Sequence, residues 1–135
     1  MYTFSAKSQL KLNQCDHRLQ AIFNEVIKIH DCVVLTGYRD KATQSDLFHQ
    51  GRSKLTWPSS KHNMDPSAAV DVAPFPIDWN DLSRFLFFGG MVMAIAIQQN
   101  VRLRWGGDWN MNQRFLIDGK KDQVFDDYVH FELVD

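Results

Sequence analysis

The 135 residues contain only two cysteines, Cys15 and Cys32. They form neither the paired knuckle of a structural metal site nor the dense, even set of a disulfide-stabilised secreted domain. We therefore predict that both are free, buried thiols. The N-terminus also lacks the basic stretch and apolar core of a signal peptide, so we expect the chain to fold in a reducing cytoplasm.

The chain also has no excess of charge of one sign. Fifteen Lys and Arg residues face sixteen Asp and Glu residues, for a formal net charge of −1. Because no segment carries a run of like charges that would follow a phosphate backbone, nucleic acid is not expected as a partner.

Long hydrophobic runs are missing as well. The longest, residues 85–97, would span about 20 Å as a helix, against roughly 30 Å of bilayer hydrocarbon. We predict a buried core helix and no membrane insertion. Within it, Gly89 and Gly90 either permit close approach of a neighbouring element or mark a kink. No heptad or exposed apolar stripe demands a partner, so a monomer is expected.

Hydrophobic periodicity predicts the secondary structure. Helices are expected at residues 16–30, with Asp16 as N-cap, at 41–49, and at 85–97, with Asp78 or Asn80 as N-cap. Strands are expected at residues 32–35, 69–73, 103–105 and 128–134, and a loop at 52–66. Without repeats or linkers, this pattern predicts one α+β domain over residues 1–135, a small antiparallel sheet with helices packed on one face.

The parity of two strands predicts a shared polar face. Successive side chains of a strand point to opposite faces, so Asp71 lies opposite the valines on either side of it. In the last strand His130 is expected on the open face with Tyr128 and Glu132. The apolar face of that strand consists of Val129, Phe131 and Leu133. If both strands belong to one sheet, Asp71 and His130 lie within reach of a common ion.

A third ligand is available in the preceding loop, at His62. Two imidazoles and one carboxylate match the donors that a catalytic zinc ion uses, at about 2.0 to 2.2 Å, with a fourth position for water. The other three histidines are assigned to the surface or the core. They are His17, His30 and His49.

The spacing of these residues resembles a known family. Ser60-Lys61-His62, Ser67-Ala68-Ala69-Val70-Asp71 and Asp127-Tyr128-Val129-His130 are similar to the motifs of the D-Ala-D-Ala carboxypeptidase and L-Ala-D-Glu endopeptidase family of zinc peptidases. The fold of that family is shared with lysostaphin-type enzymes and the hedgehog signalling domain. The resemblance implies that His62, Asp71 and His130 bind zinc. Two departures are a spacing of nine rather than seven between His62 and Asp71, and Ser67 where glycine is usual.

The same resemblance implies three catalytic residues. Asp127 matches the family's acid/base, whereas Arg39 and Gln44 match its Gly-x-Arg segment and the glutamine five residues later. Arg39 would donate to the carbonyl oxygen or to a substrate carboxylate. Two other carboxylates are alternatives by proximity: Asp126 is expected to solvate a turn, and Glu132 to orient a ligand. The four tryptophans, at positions 57, 79, 105 and 109, line the cleft or belong to the core.

Residues 76–82 and 103–110 look like phage endolysins of this group, which cut between L-Ala and D-Glu in peptidoglycan stem peptides. The resemblance thus implies a zinc endopeptidase that acts on peptidoglycan and stays in the host cytoplasm until a holin opens the membrane. The alternatives are a D-Ala-D-Ala carboxypeptidase, a non-catalytic zinc module that binds wall peptides, and a virion-borne wall peptidase.

Overall fold

The computed structural model describes residues 1–123 and 126–135. These residues form four α-helices, one short 3-10 turn and six β-strands. The elements are α1 (Ala6–Leu12), α2 (His17–Ile29), β1 (Cys32–Thr36), α3 (Lys41–His49), the 3-10 turn (Lys61–Asn63), β2 (Ala69–Pro74), α4 (Leu82–Gln98), β3 (Leu103–Gly106), β4 (Leu116–Ile117), β5 (Lys120–Lys121) and β6 (Asp127–Leu133).

The helix predicted at residues 16–30 is α2, and its cap is confirmed. The Asp16 side chain accepts a hydrogen bond from the backbone N–H of Arg18 at 2.9 Å, which satisfies one of the free donors at the helix start. The apolar stripe on this helix is buried in full. Its members are Leu19, Ile22, Phe23, Val26 and Ile27.

Helix α4 begins just after the predicted caps, because a later residue caps it. Asp81, and neither Asp78 nor Asn80, is the N-cap. The carboxylate of Asp78 instead accepts a hydrogen bond of 3.0 Å from the backbone N–H of Asn80. That bond closes a turn before the helix and leaves Asp81 to bind the first free donors of α4.

Helix α4 is the predicted core helix, but only one of its faces is buried. One face of α4 packs against α2 and the sheet, but Phe87 and Ile97 on the other face are 68% and 62% exposed. The prediction of close approach is confirmed at Gly89, where an added Cβ would lie 2.4 Å from the Trp105 indole, whereas Gly90 has open space. Over the described ranges, no helix has both the length and the apolar character to cross a membrane.

The main sheet has four strands in the order β1-β2-β6-β3, and all neighbours are antiparallel. Helices α2 and α4 cover one face through edge-on ring contacts of Phe23 and Phe88 with Phe131. The α+β prediction is confirmed in this arrangement. Thr43 of α3 lines a cavity together with Asp71, so α3 borders the opposite, open face.

The register between β3 and β6 shifts in the middle of the pairing. Trp105 pairs with Phe131, but the next residue, Gly106, pairs with Asp127 and not with His130. The extra residues on β6 break the strict alternation of its side chains. Tyr128 was therefore wrongly expected on the open face, because its ring contacts Trp105 and packs against the core. Val129 is only half-buried and lies outside the core cluster.

Three local elements were not predicted. Helix α1 is fixed to the sheet by Ser8, whose hydroxyl accepts a hydrogen bond of 3.1 Å from the backbone N–H of Val34. Strands β4 and β5 form a separate two-stranded hairpin. The loop at residues 52–66 contains the 3-10 turn, which Ser60 caps, and this turn carries His62.

Candidate metal centre and active site

Three side chains from different parts of the chain converge on the open face. His62 comes from the 3-10 turn, Asp71 from β2 and His130 from β6, where it pairs directly with Asp71. One ligand atom of each residue lies within 4.8 Å of the other two. The structure therefore brings together the residues that the sequence predicted as metal ligands.

The orientation of His62 fixes its tautomer. Nδ1 lies 2.8 Å from the carbonyl oxygen of Gly37, so Nδ1 carries the proton and donates it there. Nε2 therefore presents its lone pair, 3.3 Å from Asp71 Oδ1. This Nε2 is buried, and none of the described residues makes a hydrogen bond to it. A buried nitrogen lone pair of this kind is what a metal ion would satisfy.

Ser67, which departs from the family motif, supports the same carbonyl. Its hydroxyl oxygen lies 3.1 Å from the oxygen of Gly37 and 2.6 Å from that of Ala69, and the side chain is fully buried. A serine at this position therefore contacts the backbone group that orients His62, and it leaves all three ligands in place.

His130 is held from both sides. Nδ1 lies 3.1 Å from Asp71 Oδ1, and Nε2 lies 2.9 Å from Glu132 Oε1. Burial acts to lower the pKa of His130, but the hydrogen bonds to Asp71 and Glu132 outweigh it and raise the pKa to about 9. A carboxylate behind a ligating imidazole is the usual support of a metal-binding histidine.

Glu132 is itself held by two basic side chains. Arg104 donates a hydrogen bond of 2.7 Å to Oε2, and Lys61 Nζ lies 3.5 Å from the same oxygen. Burial acts to raise the pKa of Glu132, but the bonds from His130 and Arg104 lower it to about 2. Neither Arg104 nor Lys61 was predicted as a site residue, because their contacts with Glu132 depend on the tertiary fold.

The donor set fits a zinc ion. It offers two imidazole nitrogens and one carboxylate oxygen at the edge of a cavity, which is the composition of a catalytic site with a free position. Burial acts to raise the pKa of Asp71, but the hydrogen bond with His130 and the proximity of the His62 imidazole hold it well below its ordinary value. Asp71 is therefore ionised, as a ligand must be.

Asp127 borders the same cavity of about 430 Å³ as the three ligands. Its pKa is raised, first by burial and then by the negative charge of Asp71. Gly106 fixes its position, because an added Cβ there would lie 2.1 Å from the Asp127 carbonyl oxygen. The rival Asp126 is engaged elsewhere, by Lys121 at 3.2 Å and Gln123 at 2.6 Å.

Arg39 and Gln44 act as a pair. The Arg39 guanidinium lies 4.0 Å from Asp71 Oδ2 and donates a hydrogen bond of 3.0 Å to Gln44 Oε1. Gln44 is fully buried and donates in turn to Ser53 and to the carbonyl of Leu55. Gln44 therefore faces the interior and not the exposed side of α3. Its contacts are those of a residue that positions Arg39 and the loop at 52–66.

Of the tryptophans, Trp109 lies in the cleft and Trp105 lies in the core. The Trp109 ring lies 5.4 Å from that of His130 and lines the cavity. Trp105 stacks on Phe131 and donates its indole N–H to the Tyr128 carbonyl, so it belongs to the core. Trp79 is 63% exposed.

Comparison with known proteins agrees with this geometry. The sequence model of the family described as phage L-alanyl-D-glutamate peptidase matches residues 1–134. The L-alanyl-D-glutamate peptidase of Escherichia phage T5 is 27% identical over 138 residues, which cover 98% of each chain. The crystal structure of the Serratia marcescens L-Ala D-Glu endopeptidase ChiX shares the fold, with a TM-score of 0.75 and 22% identity over 97% of this chain and 89% of that one. The chain belongs to the phage L-alanyl-D-glutamate peptidase family.

Proposed function

We propose that this protein is a zinc-dependent endopeptidase that hydrolyses the L-Ala–D-Glu bond of peptidoglycan stem peptides. The observation that carries the proposal is the convergence of three ligand atoms, including the unpartnered Nε2 of His62, beside the buried carboxyl of Asp127. The proposed identity of the cleaved bond is taken from the family to which the chain belongs and from the name of the phage T5 relative.

His62, Asp71 and His130 would hold the zinc ion. Zinc bound there supplies Lewis acidity, which polarises a carbonyl group and lowers the pKa of a water molecule. The remaining chemistry is the transfer of a proton. Asp127 accepts a proton from the attacking water as the new C–O bond forms, and it returns that proton to the leaving nitrogen as the C–N bond breaks.

The surroundings of Asp127 suit both halves of that transfer. Because burial and the charge of Asp71 raise its pKa, Asp127 is a stronger base than an exposed aspartate. Arg39 is held by Gln44 with its guanidinium toward the cavity, where it would donate to a substrate oxygen. Gln44 touches Arg39 and acts as a positioning residue.

The biological role that follows is that of a phage endolysin, held in the host cytoplasm until a holin opens the membrane to the peptidoglycan. The carboxypeptidase and the non-catalytic binding module are outcomes of the test below.

The test is mass-spectrometric analysis of purified Gram-negative peptidoglycan after incubation with the zinc-loaded protein, with and without a chelator. Release of peptides that begin at D-Glu, abolished by the chelator and restored by zinc, is expected. Loss of terminal D-Ala alone would make the protein a carboxypeptidase. No cleavage by folded, zinc-loaded protein would leave the binding module as the better account.

A further inference from the structure

Asp127 borders a second space besides the cavity over the metal ligands. This space is a groove of about 370 Å³, here called the aromatic groove. It is lined by Trp79, Leu82, Phe85, Lys121, Asp126, Asp127, Tyr128 and Val129. The aromatic groove and the cavity over the metal ligands share Asp127, so the groove lies beside the carboxyl to which we assign the proton transfer.

Trp79 forms an exposed aromatic platform in this groove. One side of its ring stacks on Phe85, with the ring centroids 5.5 Å apart and the planes at 15°. The residue nevertheless remains 63% exposed. The stacking holds the indole flat against the protein and leaves its other face open, although an exposed tryptophan costs hydrophobic free energy that a ligand would recover.

The cavity over the metal ligands has the opposite character. Five basic side chains and three carboxylates line it, so positive charge is in excess. The basic residues are Arg39, Arg52, Lys54, Lys61 and Arg104, and the acidic residues are Asp71, Asp127 and Glu132. The aromatic groove has one basic side chain along its described lining, Lys121, which is paired with Asp126 at 3.2 Å. The cavity over the metal ligands thus suits an anionic group, and the aromatic groove suits a neutral, partly apolar group.

The two ends of a stem peptide differ in the same way. On the D-Glu side, the free carboxylates of D-Glu and the next residue carry negative charge. On the L-Ala side, the peptide is joined through a lactyl amide to muramic acid, a neutral sugar whose axial C–H groups form an apolar face. Such faces pack on aromatic rings.

We propose that the aromatic groove binds the muramyl sugar of the substrate, with Trp79 as its stacking platform. The cavity over the metal ligands then receives the part of the stem peptide that begins at D-Glu. This inference rests on the proposed function. It fixes the direction in which the stem peptide crosses Asp127, and it makes Trp79 a determinant of preference for intact peptidoglycan over free peptides.

The experiment compares two soluble substrates: a muramyl-L-Ala-D-Glu-diaminopimelate and the same tripeptide with an N-acetyl group in place of the sugar. For Trp79→Ala, kcat/KM on the muramyl substrate should fall about tenfold more than on the sugar-free one, mainly through KM, because loss of one stacked ring costs about that factor. Trp79→Phe keeps an aromatic platform and should recover most of the difference. The matched control is Phe87→Ala, which removes an exposed ring of α4 that does not line the groove and should leave both substrates unaffected.

Equal losses on both substrates, or a larger loss on the sugar-free peptide, would overturn the inference. A binding measurement separates this result from failure of the proposed function. Calorimetric titration of the muramyl tripeptide is performed with Asp127→Asn and with the double variant that also carries Trp79→Ala, neither of which needs to turn over. Weaker binding by the double variant supports the groove assignment even if the wild type cleaves neither substrate, and equal affinities overturn it.

Discussion

Asp127 and His130 border the same cavity, although a spacing of three in one strand would place them on opposite faces. The register shift opposite Gly106 resolves this conflict, because it inserts extra residues of β6 between the pair at Trp105 and the pair at Gly106. The glycine has a specific role, since any Cβ at that position would collide with the carbonyl oxygen of Asp127. The irregularity thus brings Asp127 beside the three predicted metal ligands.

Replacement of Asp127 by Asn should abolish turnover and leave zinc binding intact. An amide cannot accept and return the proton, so kcat should fall by about 10² to 10⁴, whereas the three ligands are unchanged. The measurements are the rate of release of peptides beginning at D-Glu, and zinc affinity by competition with a chromogenic chelator. Asp126→Asn tests the rival and should keep most of kcat, because Lys121 and Gln123 engage that carboxylate. A larger loss of kcat at Asp126 would reverse the assignment.

Replacement of Glu132 by Ala should weaken zinc binding by about 10- to 100-fold, because His130 loses the carboxylate that orients it. Glu132→Gln keeps an oxygen acceptor for Nε2–H and should lose less. Zinc affinity measured by chelator competition distinguishes the variants. The matched control is Glu25→Ala, which removes an exposed carboxylate paired with Lys28 at 2.8 Å and should leave zinc affinity unchanged. If Ala and Gln at position 132 behave alike, Glu132 does not orient the ligand.

The proximity of Asp71 and His130 could be predicted from strand parity because both residues lie in regular structure, whereas His62 was identified from the family motif. Strand β2 alternates without interruption around Asp71, and its partner in the sheet, His130, lies in the regular part of β6. The fold class followed for the same reason, since the stripe on α2 and the apolar strands each have one dominant period. Where one hydrophobic period holds along a whole segment, that period alone predicts the face on which each side chain lies.

The errors lie where tertiary contacts override local pattern. The prediction that Tyr128 lies on the open face was wrong because the register shift depends on Gly106, a residue of another strand. The burial of Gln44 could not be predicted, because α3 has little apolar periodicity and the hydrogen bonds of Gln44 are made with Arg39 and Ser53, in the loops on either side of the helix. The exposed face of α4 could not be predicted, because an apolar composition does not reveal how many faces of a helix are packed.

The adjacent glycines of α4 should respond to alanine in opposite directions. At Gly89 a Cβ would lie 2.4 Å from the Trp105 indole, so Gly89→Ala should destabilise the protein by roughly 1 to 3 kcal/mol through overpacking. At Gly90 a Cβ meets nothing within 4 Å, and alanine should stabilise the helix by roughly 0.5 to 1 kcal/mol. Urea denaturation of both variants measures the free energy of unfolding. Equal effects would mean that Trp105 moves away at little cost.

The N-cap of α2 should make stability depend on pH in a defined direction. The hydrogen bond from the Arg18 side chain is the largest cause that holds the pKa of Asp16 below its ordinary value; burial opposes the shift, and the backbone N–H of Arg18 adds to it. A carboxyl whose pKa is lower in the folded state stabilises the protein above its unfolded pKa, and this contribution disappears as the pH falls through the folded value.

Asp16→Asn retains a capping oxygen and removes the charge, whereas Asp16→Ala removes both and should cost about 1 kcal/mol more at pH 6. The free energy of unfolding, measured in urea from pH 6 toward pH 3, should show that the advantage of the wild type over Asp16→Asn shrinks below about pH 4. The gap between Asn and Ala should persist, because the amide oxygen accepts the backbone hydrogen bond at every pH. Any loss of metal in acid affects all three proteins alike, so a constant advantage of the wild type over Asn would show that the charge of Asp16 contributes nothing.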